Sequence, residues 1–359
     1  MDNSKKIKVL LSGGGTGGSV VPLLAIADEL GGDDYKYLWF GTKSGPEKKL
    51  IDNENIEYHS IISGKLRRYF SFRNFLDPFL ILIGFIQSFF LLLFIRPSII
   101  ISAGSYVSVP VVWTGWFLGI PVLIHQLDVV PGLANKLMAP VAKKITVTFE
   151  ASLKDYGHKA VWTGTPIRHV FKQRISKEDA RQRLNLKADK PVILILGGGT
   201  GSVALNQIIL DNLVSLAKIS QILHITGLGK NVTQTDQQNL NYQSYEFLEI
   251  QDMICAYAAA DIVISRCGMG VLTELSYLSK PSIFIPLPST HQEGNAKVFK
   301  DQEAALVLDQ NNLTKENFFD QVKKLLSNSE LKKHLSQNIY KVIKGGANKQ
   351  IVSIIKKII

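Results

Sequence analysis

Apolar positions along the chain fall into short runs rich in β-branched residues, separated by longer stretches in which apolar residues recur at helical spacing. This alternation predicts an α/β fold with mainly parallel sheets, because strands buried on both faces read as nearly continuous apolar runs. In the first half, strands are expected at Lys8 to Leu11, Tyr37 to Phe40, Tyr58 to Ile61, Ser98 to Ser102, Val122 to His125 and Lys144 to Val147. Helical stretches lie between them, among them Pro22 to Leu30 and Leu133 to Ala139. A second series follows GTPIR at Gly164 to Arg168, with strands at Val192 to Leu196, Gln221 to Thr226, Tyr245 to Leu248, Ile262 to Ser265, Ser282 to Ile285 and Ala305 to Leu308.

Each series opens with a strand, a glycine loop and a helix; the loops read GGGTGGS at 13–19 and GGGTGS at 197–202. The pattern predicts two doubly wound, Rossmann-like domains facing across a cleft, over residues 1–164 and 165–345, with ligands beyond the carboxyl ends of the strands. Within the C-terminal segment 346–359, Asn348 to Ile359 alternates Lys with Ile and Val, as an amphipathic helix that closes the second domain or crosses back to the first.

One stretch breaks the alternation. Phe79 to Ile95 carries only Gln87 and Ser88 as polar residues, and its length is at the lower limit of the roughly 17–25 residues a membrane-spanning helix needs. Just before it, Lys65, Arg67, Arg68 and Arg73 are interleaved with aromatics and no acid. Because strand-like IIISAGSY follows almost at once, the apolar stretch is expected to be a buried or half-buried helix of the α/β domain. The cations beside its apolar surface suit docking on an anionic leaflet, expected in preference to a span or to nucleic-acid binding.

Composition narrows the setting. At 359 residues the chain is long for a single core, and 46% hydrophobic with 20% charged residues marks it as globular. The formal charge of +11 calls for an acidic partner. Only Cys255 and Cys267 are present, without zinc-ligand spacing, so neither a disulfide framework nor a metal site is expected. The N-terminal segment MDNSKKIKVLLSGGG lacks the apolar core of a secretory signal, which predicts a cytoplasmic protein.

The spacing Gly13-x-Gly15-x-x-Gly18 matches a dinucleotide fingerprint, but the acid that would hold a ribose after the second strand is missing from YLWFGTKSG. A phosphate cradle and an unliganded tight turn both remain open for that loop. The richer stretch is SRCGMGVLTELSYL from Ser265, followed by PSIFIPLPSTHQEGNA from Pro281. A strand ending in Arg266-Cys-Gly268 and then a helix carrying Glu274 supply amides and a cation for a diphosphate and a carboxylate for ribose hydroxyls. His291, Gln292 and Asn295 converge on the same sheet edge.

These motifs, with AGSYVSVP at Ala103 to Pro110, GIPVLIHQLDVVPGLANK at Gly119 to Lys136 and GGGTGSVALN at Gly197 to Asn206, run in order along essentially the whole chain. The sequence resembles the MurG family of bacterial peptidoglycan N-acetylglucosaminyltransferases. The resemblance implies a GT-B fold and inverting transfer of N-acetylglucosamine (GlcNAc) from UDP-GlcNAc to the 4-hydroxyl of the muramoyl sugar in lipid I, giving lipid II at the cytoplasmic face of the membrane, without a cofactor or metal. It implies that the donor is bound by Arg168, by Gly199, Thr200, Gly201 and Asn206, by the backbone of Leu248, by Arg266, Gly268, Met269, Gly270 and Glu274, and by His291, Gln292 and Asn295. The acceptor's diphosphate would lie against Gly14, Gly15, Thr16, Gly17 and Gly18 and against Gly104, Ser105 and Tyr106.

The chain departs from the family pattern at several loops. Ser19 stands where GGTGGH has a histidine, His125-Gln126-Leu127-Asp128 replaces HEQN, Gly199-Thr200 replaces the Ser-Gln of GGSQG, and Val271 replaces a threonine. Serine is no base near pH 7 without activation. Among the catalytic candidates Ser19, His125 and Asp128, the general base is therefore expected at His125 or Asp128. Alternatives are a related transferase with another lipid-linked acceptor, a nucleotide-sugar-binding scaffold and, distantly, a dehydrogenase.

Overall fold

A computed structural model describes residues 6–15, 17–52, 54–64, 73–199, 201–230 and 241–359, with the side chains of 73–76 outside that description. Lys65, Arg67, Arg68, Thr16 and Thr200 therefore lie outside the described residues, as does the Arg73 side chain. The chain divides into two compact units: residues 1–169 with 344–359, and residues 170–343.

Unit 1 carries strands β1 (Ile7–Ser12), β2 (Tyr35–Gly41), β3 (Glu57–Ser60), β4 (Ile99–Ser102), β5 (Val122–Gln126), β6 (Lys144–Val147) and β7 (Ala160–Trp162). They form one sheet in the order β3-β2-β1-β4-β5-β6-β7, with every pairing parallel. Its helices are α1 (Val21–Leu30), α2 (Pro46–Ile51), α3 (Arg73–Ile95), α4 (Ser108–Phe117) and α5 (Leu133–Met138). Strands such as IIIS of β4 and VLIHQ of β5 are buried throughout, which is why a period-two alternation is absent from them.

Unit 2 repeats the plan. Its strands β8 (Val192–Leu196), β9 (Gln221–Ile225), β10 (Tyr242–Tyr245), β11 (Ile262–Ser265), β12 (Ser282–Phe284) and β13 (Leu306–Val307) pair in parallel in the order β10-β9-β8-β11-β12-β13. Its helices are α6 (Lys177–Arg183), α7 (Val203–Ile219), α8 (Ile250–Ala259), α9 (Met269–Tyr277), α10 (His291–Asp301), α11 (Lys315–Ser327) and α12 (Ser329–Val342). Both sheets switch direction beside their first strand, at β1/β4 and β8/β11, and the crevice at such a point is where ligands of these sheets bind.

Two strand expectations need correction. The stretch expected as a strand at Tyr245 to Leu248 is the end of β10 and a loop, because pairing with β9 runs from Tyr242 to Tyr245. Strand β7 was not expected; AVW is too short to register as a run. The C-terminal helix α13 (Ala347–Ile358) packs in unit 1 against α1. There the buried Asn348 clasps Ile167, accepting from its N–H at 3.0 Å and donating to its carbonyl at 2.9 Å.

Helix α3 is long and apolar enough to cross a membrane by length and composition, yet one of its faces is packed into unit 1. Gly84, Ser88 and Leu92 form the buried stripe, at the i, i+4 spacing of one helix face. A Cβ at Gly84 would stand 2.0 Å from the Ile62 carbonyl oxygen. Gln87 donates to the Ser60 carbonyl at 2.7 Å and accepts from Ile62 N–H at 2.9 Å. The opposite face exposes Phe79, Leu82, Ile86, Phe90 and Phe94, the last 81% exposed, and Phe117 of α4 continues the patch beside Phe89. A contiguous apolar patch of this kind marks an interaction surface.

Candidate active site

In unit 1 the carboxyl ends of β1, β4 and β5 bring three loops to the switch point. The first glycine loop follows β1, and its Gly15 has φ +78°, a left-handed turn that favours glycine. Its neighbour is the Tyr106 ring, which would lie 3.2 Å from a Cβ at Gly15. The loops at Gly14 to Gly18 and Gly104 to Tyr106 are thus side by side, although Gly15 N–H is already taken by Glu47 Oε2 at 3.0 Å. Ser19 is buried and its hydroxyl turns to the Gly14 carbonyl at 3.4 Å, bracing the loop.

Ser105 is the strained member. Its φ of +97° is in the left-handed region, which costs a non-glycine residue of order 1–3 kcal/mol and concentrates at functional sites. Its hydroxyl is buried with no hydrogen-bond partner among the described residues, as are Asn135 Oδ1 and His125 Nε2. Asn135 Oδ1 faces the backbone of Gly104, where a Cβ would approach it to 3.2 Å. Buried polar atoms without partners are uncommon in native proteins, and those at Ser105 and Asn135 flank Gly104 at this edge.

His125 and Asp128 separate sharply. His125 is fully buried within β5, its Nδ1 is 2.9 Å from Thr146 Oγ1, and burial lowers its pKa to about 3. The ring is neutral near pH 7 and enclosed by β5 and its neighbours, with less exposure than Asp128 for meeting an incoming hydroxyl. Asp128 is half-buried on the loop just beyond the carboxyl end of β5. That loop is held by Gln126, whose Nε2 donates to the Asp128 carbonyl at 2.7 Å while its Oε1 accepts from Asn135 at 2.6 Å and Tyr156 at 2.8 Å. A carboxylate at 126 would lack the donor that Gln126 offers to the Asp128 backbone carbonyl, so the amide suits this loop.

In unit 2 the corresponding edge is open. Among the described residues, helix α9 starts at Gly268 with no side-chain cap, and a Cβ at Gly268 or Gly270 would meet nothing within 4 Å. The same holds at Gly198 and Gly199 after β8, whereas Gly201 is pressed against the Thr226 carbonyl, 2.2 Å from its Cβ position. Uncapped amides at a helix start, with room in front of them, form an anion site. Glu274, one helical face along α9, is half-buried. Burial raises its pKa to about 7, and the Tyr257 hydroxyl donates to it at 2.5 Å.

Several expected ligand residues instead hold these loops. Arg266 is buried and spends its guanidinium on Ser202 at 2.8 and 3.0 Å, on the carbonyls of Ile285 and Pro286 at 2.9 and 3.1 Å, and on Gln310 at 2.5 Å. Its charge ties four segments together and is not free for a diphosphate. Arg168 lies in unit 1, paired with Glu54 at 2.9 Å and Asp28 at 3.4 Å. Asn206 is buried, donating to the Thr226 carbonyl at 3.1 Å with its Oδ1 3.0 Å from His224 Nε2. Gln292 accepts from the N–H groups of Cys267 and Leu287, each at 3.1 Å, and Asn295 donates to the Cys267 carbonyl at 3.2 Å. Together they fix the turn that presents Gly268 and Met269. His291 is exposed at the start of α10, and Leu248 is buried on the loop after β10.

Glu47 and Asn135 were not singled out in the sequence; the signals available were GTKSGPE at Gly41 to Glu47 and GIPVLIHQLDVVPGLANK at Gly119 to Lys136. Two cavities, of about 740 and 730 Å³, open at the amino ends of the unit 1 strands, the first beside Trp116 and Lys143 and the second beside Tyr37 and Glu57. They lie at the edge away from the glycine loops and gather none of these groups. Among the described residues, no three His, Cys, Asp or Glu side chains are grouped as metal ligands would be.

Comparison with known proteins agrees with this architecture. Residues 9–147 match the glycosyltransferase family 28 N-terminal domain and residues 192–356 its C-terminal domain. A UDP-N-acetylglucosamine--N-acetylmuramyl-(pentapeptide) pyrophosphoryl-undecaprenol N-acetylglucosamine transferase of Clostridium kluyveri is 40% identical over 98% of this chain and 99% of its own. The crystal structure of Acinetobacter baumannii MurG superposes with a TM-score of 0.77 at 29% identity, covering 98% of this chain and 99% of that one. UDP-GlcNAc 2-epimerase from Neisseria meningitidis, at 15% identity and a TM-score of 0.71 over 98% and 100% of the two chains, shares the fold. By sequence, by domain content and by fold, the chain belongs to the MurG family of glycosyltransferases.

Proposed function

We infer that this enzyme transfers GlcNAc from UDP-GlcNAc to the 4-hydroxyl of the muramoyl sugar of lipid I, with inversion, to give lipid II. The observation that carries the donor half is the open start of α9, where the uncapped amides behind Gly268 and Gly270 suit the diphosphate that departs as UDP. Glu274 then accepts from the ribose hydroxyls, and the Leu248 backbone reads the uracil. With Arg266 fully engaged by protein, oriented amides rather than a guanidinium neutralise the leaving group.

In the acceptor half, Asp128 takes the proton of the attacking hydroxyl, and the strained Ser105, Tyr106 and the first glycine loop seat the acceptor. General-base assistance contributes typically 10²–10⁴-fold. The apolar face of α3 rests on the cytoplasmic leaflet that carries the lipid acceptor, and the basic residues of the Lys65–Arg73 stretch favour anionic lipid there.

Purified lipid I with labelled UDP-GlcNAc tests the reading. Asp128→Asn should lower kcat roughly 10²-fold or more, while His125→Ala should cost thermal stability and leave the pH profile of kcat in place. Full turnover by the Asp128→Asn enzyme would remove Asp128 from this role. Ser19 at the family's histidine position favours a second reading, a different polyprenyl-linked acceptor, and UDP release with such a lipid but not with lipid I would select it.

A further inference from the structure

The first glycine loop is anchored by a carboxylate that the transfer chemistry does not use. Glu47 is in the first turn of α2, where an acid would ordinarily be solvated, yet it is fully buried and folds back over the loop. Its Oε2 accepts from Gly15 N–H at 3.0 Å, and its Oε1 accepts from the Thr42 N–H at 2.8 Å and the Thr42 hydroxyl at 2.5 Å. Tyr58 donates to the Thr42 carbonyl at 2.5 Å and closes this segment.

Two glycines exist to make room for that carboxylate. A Cβ at Gly14 would stand 2.4 Å from Oε1, and one at Gly45 would stand 2.1 Å from Oε2. Among the described residues, no Lys, Arg or His pairs with Glu47. A buried carboxylate is tolerated only when donors replace its water, and an acceptor-only group dictates which way those donors point. Gly15 N–H is therefore aimed into the protein, and the left-handed Gly15 turn is set with the Tyr106 ring against it.

We propose that Glu47 is a positioning residue for the acceptor, fixing the Gly15 turn and through it the surface that the glycine loop and Tyr106 present. The inference rests on reading this edge of unit 1 as the acceptor site. Glu47→Gln keeps the shape but turns an N–H towards either Gly15 N–H or Thr42 N–H, a donor facing a donor in both orientations.

Steady-state kinetics of Glu47→Gln in the full chain, with lipid I and UDP-GlcNAc varied separately, test it. The acceptor KM should rise at least tenfold, while kcat at saturating acceptor and the KM for UDP-GlcNAc stay within threefold. Calorimetric binding of UDP-GlcNAc should be unchanged, which excludes global misfolding as the cause. A lowered melting temperature with the acceptor KM held within twofold would overturn the proposal and leave Glu47 a purely structural residue. If the wild-type enzyme turns over only with another polyprenyl-linked sugar, the lipid I reading fails alone, and the same KM split is read with that acceptor.

Discussion

The two units share a strand order but use their glycine loops in opposite ways. In unit 1 the loop after β1 is occupied by its own protein: the Glu47 carboxylate sits on Gly14 and Gly15, the Trp39 indole donates to the Gly13 carbonyl at 3.1 Å, and Tyr106 covers Gly15. In unit 2, Gly198 and Gly199 after β8 and Gly268 and Gly270 after β11 face open space. Glycine is required in the first case because internal atoms approach the backbone, whereas in the second no protein atom does, which suits the donor site proposed above. The same glycine-rich spelling, and even the same position on the sheet, does not distinguish them; what fills the volume of a missing Cβ does.

Breaking the open edge should produce the largest effect. Arg266→Ala removes a buried guanidinium and orphans the Ile285 and Pro286 carbonyls, Gln310 and Ser202 together. We expect a loss of about 3–5 kcal/mol in unfolding free energy, since several buried neutral acceptors are orphaned at about 1–3 kcal/mol each and not all stay dry. UDP-GlcNAc binding should fall with it, because the β8 and β11 loops lose their common strut. Lysine should not rescue, since an ammonium cannot span the same fork of acceptors. Denaturant melts and calorimetric titration of UDP-GlcNAc check both parts; a variant with wild-type stability would reopen Arg266 as a diphosphate ligand.

A matched pair of alanine substitutions sharpens the contrast. Gly14→Ala drives a methyl into Glu47 and should cost about 1–3 kcal/mol, the range for overpacking, with UDP-GlcNAc affinity retained. Gly268→Ala meets no protein atom and keeps an ordinary backbone (φ −76°, ψ 141°). Its stability should stay within about 0.5 kcal/mol, while UDP-GlcNAc binding weakens roughly tenfold, about 1.4 kcal/mol. Opposite assignments of the stability and binding losses would invert the reading of the two loops.

Much of this fold was legible because its strands are buried on both faces: VILIL of β8 and IVIS of β11 cannot hide among polar residues. The sheet-edge positions of the Gly15, Tyr106, Gly268 and Glu274 loops followed from the same runs. Side-chain partners did not, because they are set by tertiary return of distant chain. Arg168 reads as a free cation until Asp28 and Glu54, remote in sequence, fold onto it. His125 reads as a base until β4 and β6 enclose it. Glu47 looks like an acid complementing the start of a helix, and nothing local announces that Thr42 and Gly15 will bury it.

The finest distinction concerns Glu274 on α9, at the open edge. Burial raises Glu274 from an ordinary value of 4.5 to about 7 in the folded protein. The folded state then holds a proton that the unfolded chain has released between pH 4.5 and 7, so unliganded stability falls as pH rises through that window and levels off above it. The shift sets an upper limit of about 3 kcal/mol, and solvent reaching part of the residue brings the expected loss to about 1–2 kcal/mol. The ionised form is the stronger acceptor for ribose hydroxyls, so UDP affinity should move the other way and strengthen several-fold from pH 6 to pH 8. Glu274→Gln should flatten both profiles. Tyr257→Phe removes the hydroxyl that favours the anion and should push the transition in each to higher pH. Melts and UDP titrations across that range decide it: parallel trends in stability and affinity would mean that Glu274 does not meet the nucleotide.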